Sequence, residues 1–201
     1  KVTLLLDFFV SDLSKRGVKT GFSVHSLALL AHGLAKLSDS KSLDKLFTII
    51  GNRVAQLSED LTPESVSLLA KSFSLANVRH GPLLFNLPKH LEADIDGFSF
   101  SQIATVMKAY AELGIRNDTV LRVVPPRCIV LLAEGHDDAH SALLLLDAYA
   151  KLVVSENSLQ NKLVHVVDNH LDEFPDLTLI QNCIQTLQLD CPPRLAEKLL
   201  V

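Results

Sequence analysis

Apolar residues recur in this chain with two periods, one inside short segments and one between them. Four segments align on one another: Leu27 to Leu37, Val66 to Ala76, Ile103 to Leu113 and Ala142 to Leu152, with a weaker fifth opening at Ile180. Their first residues stand at 27, 66, 103, 142 and 180, so the intervals are 39, 37, 39 and 38 residues. Regular self-similarity at this spacing is the signature of a repeat architecture. Inside each segment the apolar positions fall at offsets 0, 3, 4 and 7 from the first residue, which on a helix is one narrow face. Each segment is read as an amphipathic helix, termed A. Small residues flank the stripe at offsets 6 and 8, Gly33 and Ala35, Ser72 and Ser74, Ala109 and Ala111, Ala148 and Ala150, giving way to Thr186 and Gln188 in the fifth. Small flanks let neighbouring helices approach closely.

Between the A helices lie second apolar segments, termed B: Ser42 to Leu57, Pro82 to Leu91, Thr119 to Ala133 and Ser158 to Leu171. Helix-start residues fit this division, with Thr62, Ser99 and Asp138 ahead of A helices and Asn117 ahead of a B helix. Pro88 and the pair Pro125 and Pro126 are expected to bend or interrupt their B helices, because an interior proline removes a backbone hydrogen bond. The pattern predicts an all-α fold, a right-handed α-solenoid of about five helix-turn-helix repeats of about 38 residues. Expected repeats span about 22–60, 61–97, 98–136, 137–174 and 175–201, in one array. Residues 1–21 hold the B helix of an earlier repeat, over Lys1 to Lys15, and the chain reads as a fragment of a longer protein. HEAT and armadillo arrays have similar periods, so the period alone does not separate them.

Composition changes this picture little. The 201 residues include 39 Leu and no Trp, enough apolar area to exclude disorder. The longest apolar runs, Cys128 to Ala133 and Ala142 to Leu146, fall far short of the roughly 18 to 20 residues of a bilayer span, so no membrane insertion is expected. Cys128, Cys183 and Cys191 have neither a disulfide-framework count nor a CxxC spacing, which fits a reducing compartment. Phe73, Tyr110 and Tyr149 sit on the buried stripe and are assigned to the core.

The stretch Leu61 to His80, with its Thr62-Pro63-Glu64-Ser65 start, Leu68-Leu69 pair and Phe73, and the matching stretch Phe98 to Asn117, with Tyr110-Ala111 and Leu113-Gly114, resemble octotricopeptide and heptatricopeptide repeats. Helical repeats of that kind occur in the FAST and RAP proteins of mitochondria and chloroplasts. The resemblance covers about residues 22 to 190 and implies a role in organellar RNA metabolism: a mitochondrial address, with plastid or cytoplasm as alternatives, contact with single-stranded RNA, and protein subunits of a ribonucleoprotein complex as partners. No RAP-like domain is visible.

Chemistry is sparse by comparison. No Ser elbow, His-Asp pairing motif or Gly-rich phosphate loop is present, so the chain reads as a non-enzyme without cofactor or metal. His136-Asp137-Asp138-Ala139-His140 falls in a turn after Gly135 and is assigned to helix capping rather than to a metal; Cys183 is assigned to packing. The RNA candidates are basic residues in register between the second and third repeats: Lys71 with Lys108, Arg79 with Arg116, and Lys89 with Arg127. Offset 5 lies about 150° from the stripe, so Lys71 and Lys108 are expected in solvent. The rival reading is a solvated surface, favoured by charge: residues 1–100 carry 11 basic and 10 acidic side chains, residues 101–201 carry 8 and 13. The acidic run Asp168, Asp172, Glu173 and Asp176 points to a basic protein partner or a dimer contact. Two functions therefore stand side by side, a non-catalytic scaffold of organellar RNA metabolism and a HEAT-like or armadillo-like adaptor without RNA contact.

Overall fold

A computed structural model describes residues 22–37 and 41–199, so the helix expected over Lys1 to Lys15 lies outside them. Among the described residues there are ten α-helices and no strand. They alternate as A and B partners: α1 (Val24–Leu34) and α2 (Lys41–Gln56), α3 (Pro63–Leu75) and α4 (Gly81–Ala93), α5 (Phe100–Glu112) and α6 (Asp118–Ala133), α7 (Ala139–Leu152) and α8 (Asn157–Asn169), α9 (Thr178–Leu187) and α10 (Pro193–Leu199). Short 3-10 turns at Ser58–Asp60, Ile95–Gly97 and Leu171–Glu173 follow three of the B helices. The A helices open at residues 24, 63, 100, 139 and 178, intervals of 39, 37, 39 and 39, so the sequence period is the helix-pair period.

The chain divides into two compact units, Lys1–Asp94 and Ile95–Val201. In the first, α1 packs beside α3 and α2 beside α4, giving an A layer over a B layer. In the second, α7 packs between α5 and α9, while α6, α8 and α10 form the B layer. Because α7 has neighbours on both sides and α8 beneath, burial extends beyond the 0, 3, 4, 7 stripe. Ser141, Leu143, Asp147 and Ala148 are all buried on it. In the full-length A helices five of the six small flanks, Ser72, Ser74, Ala109, Ala111 and Ala148, are buried, and Ala150 is half-buried. Buried serines need partners; Ser67 donates to Glu64 O at 2.9 Å and Ser72 to Leu68 O at 2.6 Å, so their own helix supplies them. Gly33 departs from the pattern, since a Cβ there would meet nothing within 4 Å.

Caps confirm the sequence boundaries. Thr62, Ser99, Asn117 and Asp138 each accept a backbone N–H three residues on, and Gln102 completes a capping box with Ser99. The expected interruptions at proline do not occur: α4 runs through Pro88, and α6 through Pro125 and Pro126. Pro88 and Pro125 are buried, and their packing offsets the lost ladder bonds. At the other end, the residue 14 positions past the first of α3, α5 and α7 has positive φ: Asn77, Gly114 and Val153. In α9 the turn comes after ten, at Gln188, so this helix is one turn shorter and Gln188 leaves the flank position predicted for it.

A polar staple joins the B layer of the first unit. His80 caps α4, its Nδ1 accepting the Leu83 N–H at 3.2 Å, while Nε2 donates to Asn52 Oδ1 at 3.1 Å. The ring lies so close to Gly51 that a Cβ there would meet it at 2.7 Å. Phe73 sits between His80 and Phe47, whose ring it meets edge-on at 4.9 Å.

Gly51→Ala is expected to destabilise the protein by about 1–3 kcal/mol in urea denaturation, since the His80 ring cannot retreat without losing its cap. Val153, β-branched and 73% exposed at φ 51°, marks the opposite case; Val153→Gly should raise stability by up to about 1 kcal/mol. Burial also holds the pKa of His80 below its usual 6.5, and that of His32 and His90 likewise. The folded state therefore binds fewer protons than the unfolded one just below pH 6.5, so stability is complete above that pH and declines as pH falls beneath it. A urea midpoint that rose on acidification from pH 7 to 5.5 would contradict this.

Candidate nucleic-acid interface

The six basic residues singled out in the sequence occupy three kinds of position. Lys71 projects from α3, exposed, beside α1. His32, already disfavoured as a cation by its own burial, is pushed further down by Lys36 and Lys71, which places three basic groups together on the A layer of the first unit. Arg79 and Arg116 are exposed in the A-to-B turns immediately before the capping residues His80 and Asn117. Lys89 is exposed on α4, in the B layer. Lys71 and Lys89 therefore belong to different layers of their unit and share no helix face.

In the second unit, two of the candidates are engaged within the chain. Lys108 is half-buried rather than fully in solvent, 3.6 Å from Glu112. Glu112 also lies 4.0 Å from Lys151, which contacts the buried Asp147 at 2.7 Å. Two cations and two carboxylates thus alternate along α5 and α7 and cancel. Arg127, with only 17% of its side chain exposed, donates to Asp96 O at 2.9 Å and lies 3.4 Å from the Asp96 carboxylate. It ties α6 to the Ile95–Gly97 turn, as His80 ties α4 to α2. Among the described residues Lys71, Arg79, Lys89 and Arg116 form no ion pair.

The acidic run of the second unit is largely used internally as well. Asp168 is buried and accepts the Leu195 N–H at 2.9 Å, capping α10 from the preceding repeat. Arg194 donates to the carbonyls of Asp168 and Asn169, and Asp172 pairs with both Arg194 and Lys198. The Lys198 hydrogen bond and charge hold the Asp172 carboxyl below its ordinary range. Asp176 caps Thr178. The basic partner read from this run is thus, for Asp168 and Asp172, the chain's own last helix.

Other sequence readings are settled by burial. Phe73, Tyr110 and Tyr149 lie in the core. Burial drives the Cys128 thiol up to about 12 and that of Cys183 to about 11, which leaves both as packing groups without thiolate character. Asp138 caps α7, and its carboxyl, although burial works against it, is kept below its usual range by the Ser141 hydroxyl and backbone N–H. Among the described residues no three metal-ligating side chains converge, and no helix is long and apolar enough to cross a membrane.

One feature escaped the sequence reading. Phe85 on α4 is 65% exposed, and Lys89 one turn later places its ammonium 4.2 Å from the ring centroid. Its signal was present, because Phe85 falls out of register with the buried Leu83, Leu84, Leu87 and Leu91.

Residues 1–189 match the family model described as RNA-editing substrate-binding complex 6 protein. The chain belongs to the RNA-editing substrate-binding complex 6 protein family. No curated protein matches it. Membership in the RNA-editing substrate-binding complex 6 protein family agrees with the RNA-metabolism class implied by the repeats, and the family's description does not name octotricopeptide or heptatricopeptide repeats. Within this family member, the geometry separates cations that hold the fold from cations that face solvent. Arg127→Ala should cost about 1 kcal/mol by removing a largely buried side chain and its hydrogen bond to the Asp96 carbonyl, the Asp96 carboxylate itself standing in solvent, whereas Lys71→Ala should stay within about 0.5 kcal/mol of the parent. Equal losses in thermal denaturation would contradict the division.

Proposed function

We propose that this protein is a non-catalytic helical-repeat scaffold of an RNA-editing substrate-binding complex, working in mitochondria and touching single-stranded RNA directly while its other surfaces seat protein subunits. The observation that carries this reading is the uneven supply of available positive charge. Residues 1–94 carry 11 basic and 9 acidic side chains, residues 95–201 carry 8 and 14. In the first unit Lys71, Arg79 and Lys89 face solvent without carboxylate partners among the described residues, whereas Lys108 and Arg127 in the second are committed to Glu112 and Asp96. Of the second-unit candidates, Arg116 alone projects unpaired among the described residues. Phosphate contact needs cations that release counterions on binding, and a paired lysine contributes less of that. The resemblance to octotricopeptide and heptatricopeptide repeats supports both the organellar address and the RNA contact, and the family description supports the complex.

The alternative, a HEAT-like or armadillo-like adaptor that never meets RNA, is favoured for the second unit by the same pairing, since a self-neutralised face suits contact with protein. Salt dependence separates the two. On single-stranded RNA the logarithm of affinity should fall with the logarithm of salt by about 0.7 per phosphate contact. The triple change Lys71→Ala, Arg79→Ala and Arg116→Ala should flatten that slope by about 2, and adding Lys108→Ala should flatten it by less than a further contact. Filter binding at several salt concentrations reads both. No binding of the parent at low salt, or an unchanged slope in the triple variant, defeats direct RNA contact and leaves the adaptor.

A further inference from the structure

Phe85 is an anomaly for this fold. Every other aromatic side chain inside the described helices is buried: Phe47, Phe73, Phe100, Tyr110 and Tyr149. α4 hides Leu83, Leu84, Leu87 and Leu91 against its neighbours, yet turns a phenyl ring to solvent on the far side. That ring is not bare. The Lys89 ammonium lies 4.2 Å from its centroid and donates to the Asn86 side-chain carbonyl at 3.4 Å, so a π face, a cation and an amide stand together within two turns of helix.

We infer that Phe85, with Lys89 and Asn86, is a stacking platform for one unpaired RNA base, an inference that rests on the RNA contact proposed above. A base offers two things to a protein surface, a flat π face and a phosphate beside it. The phenyl ring takes the first. The ammonium takes the second, its flexible stem allowing it to swing from the ring to a phosphate oxygen, and the Asn86 amide can meet a base edge. A protein anchor would look different: binding hot spots sit in apolar surroundings that exclude water. On α4 the remaining exposed positions are Gly81, Pro82, Glu92 and Ala93, and no other large apolar side chain is exposed there. An isolated ring beside a cation, on the unit with net positive charge, fits a nucleobase better than a protein surface.

The chain has no tryptophan, so Phe85→Trp installs a single indole reporter at the site. Titrated with a single-stranded uridine oligonucleotide, the full 201-residue chain should show saturable fluorescence quenching from stacking, and an RNA duplex of equal charge should give little. Phe85→Ala and Phe85→Leu should both weaken single-strand binding about tenfold without altering its salt slope, because neither offers a π face; Lys89→Ala should lower the slope by about 0.7. Circular dichroism of these exposed-site variants should match the parent. If the oligonucleotide binds by filter assay but the indole is unquenched and Phe85→Ala binds normally, the platform is wrong while the RNA reading stands. If no RNA binds, both fall. An indole that responds to RNA-free subunits of the complex and not to RNA assigns Phe85 to a protein contact and overturns the inference.

Discussion

Side-by-side contact between neighbouring A helices within each unit is what the rest of each unit depends on. α7 shows it most fully: α5 and α9 flank it, α8 lies beneath, and Ala142, Leu145, Leu146, Ala148 and Tyr149 are all buried as a result. One helix pair has no means of covering both its own stripe and the sides of its A helix, so the apolar area becomes favourable only when a neighbour arrives. Small residues at the flanks set how close that neighbour comes. Where they are missing, as at Thr186 and Gln188, the helix ends a turn sooner and those positions are exposed.

The B layer is held differently, and this decides which charges are left for anything else. Its inter-repeat contacts include polar staples at particular sites: His80 to Asn52, Arg127 to Asp96, Arg194 and the Leu195 N–H to Asp168. Each satisfies a backbone or side-chain group that burial would otherwise leave without a partner. The staples draw on one arginine and one acidic run that looked available in the sequence. What remains exposed and without an ion pair among the described residues lies mainly in the first unit, as Lys36, Lys45, Lys71, Arg79 and Lys89, with Arg116 and Lys162 in the second. A fold built this way leaves exposed charge only where packing has no use for it.

The helix pairs and their boundaries were legible in the sequence because period, stripe and capping residues all agree, from Thr62 and Ser99 to Asp138. Helix continuity through Pro88, Pro125 and Pro126 was not, since local backbone rules carry no information about burial against a neighbouring helix. The candidate site was legible only in part. Register alone aligned Lys108 with Lys71 and Arg127 with Lys89, but the members of each pair differ in whether a carboxylate lies in reach, which depends on Glu112 and on Asp96, 31 residues away from Arg127. Phe85 lies outside the A-helix stripe that repeats along the chain, and only its place on a B helix opposite four buried leucines sets it in solvent.

If neighbour contact along the A layer is the organising constraint, its most sensitive point is a small residue between two helices. Ala148 is fully buried at a flank position of α7, the A helix that packs between two others. Urea denaturation of Ala148→Leu, followed by circular dichroism, tests this directly. A loss of about 1–3 kcal/mol with the folded helical signal retained is the predicted result; stability within about 0.5 kcal/mol of the parent would show that the A helices are not packed closely enough for the account to hold.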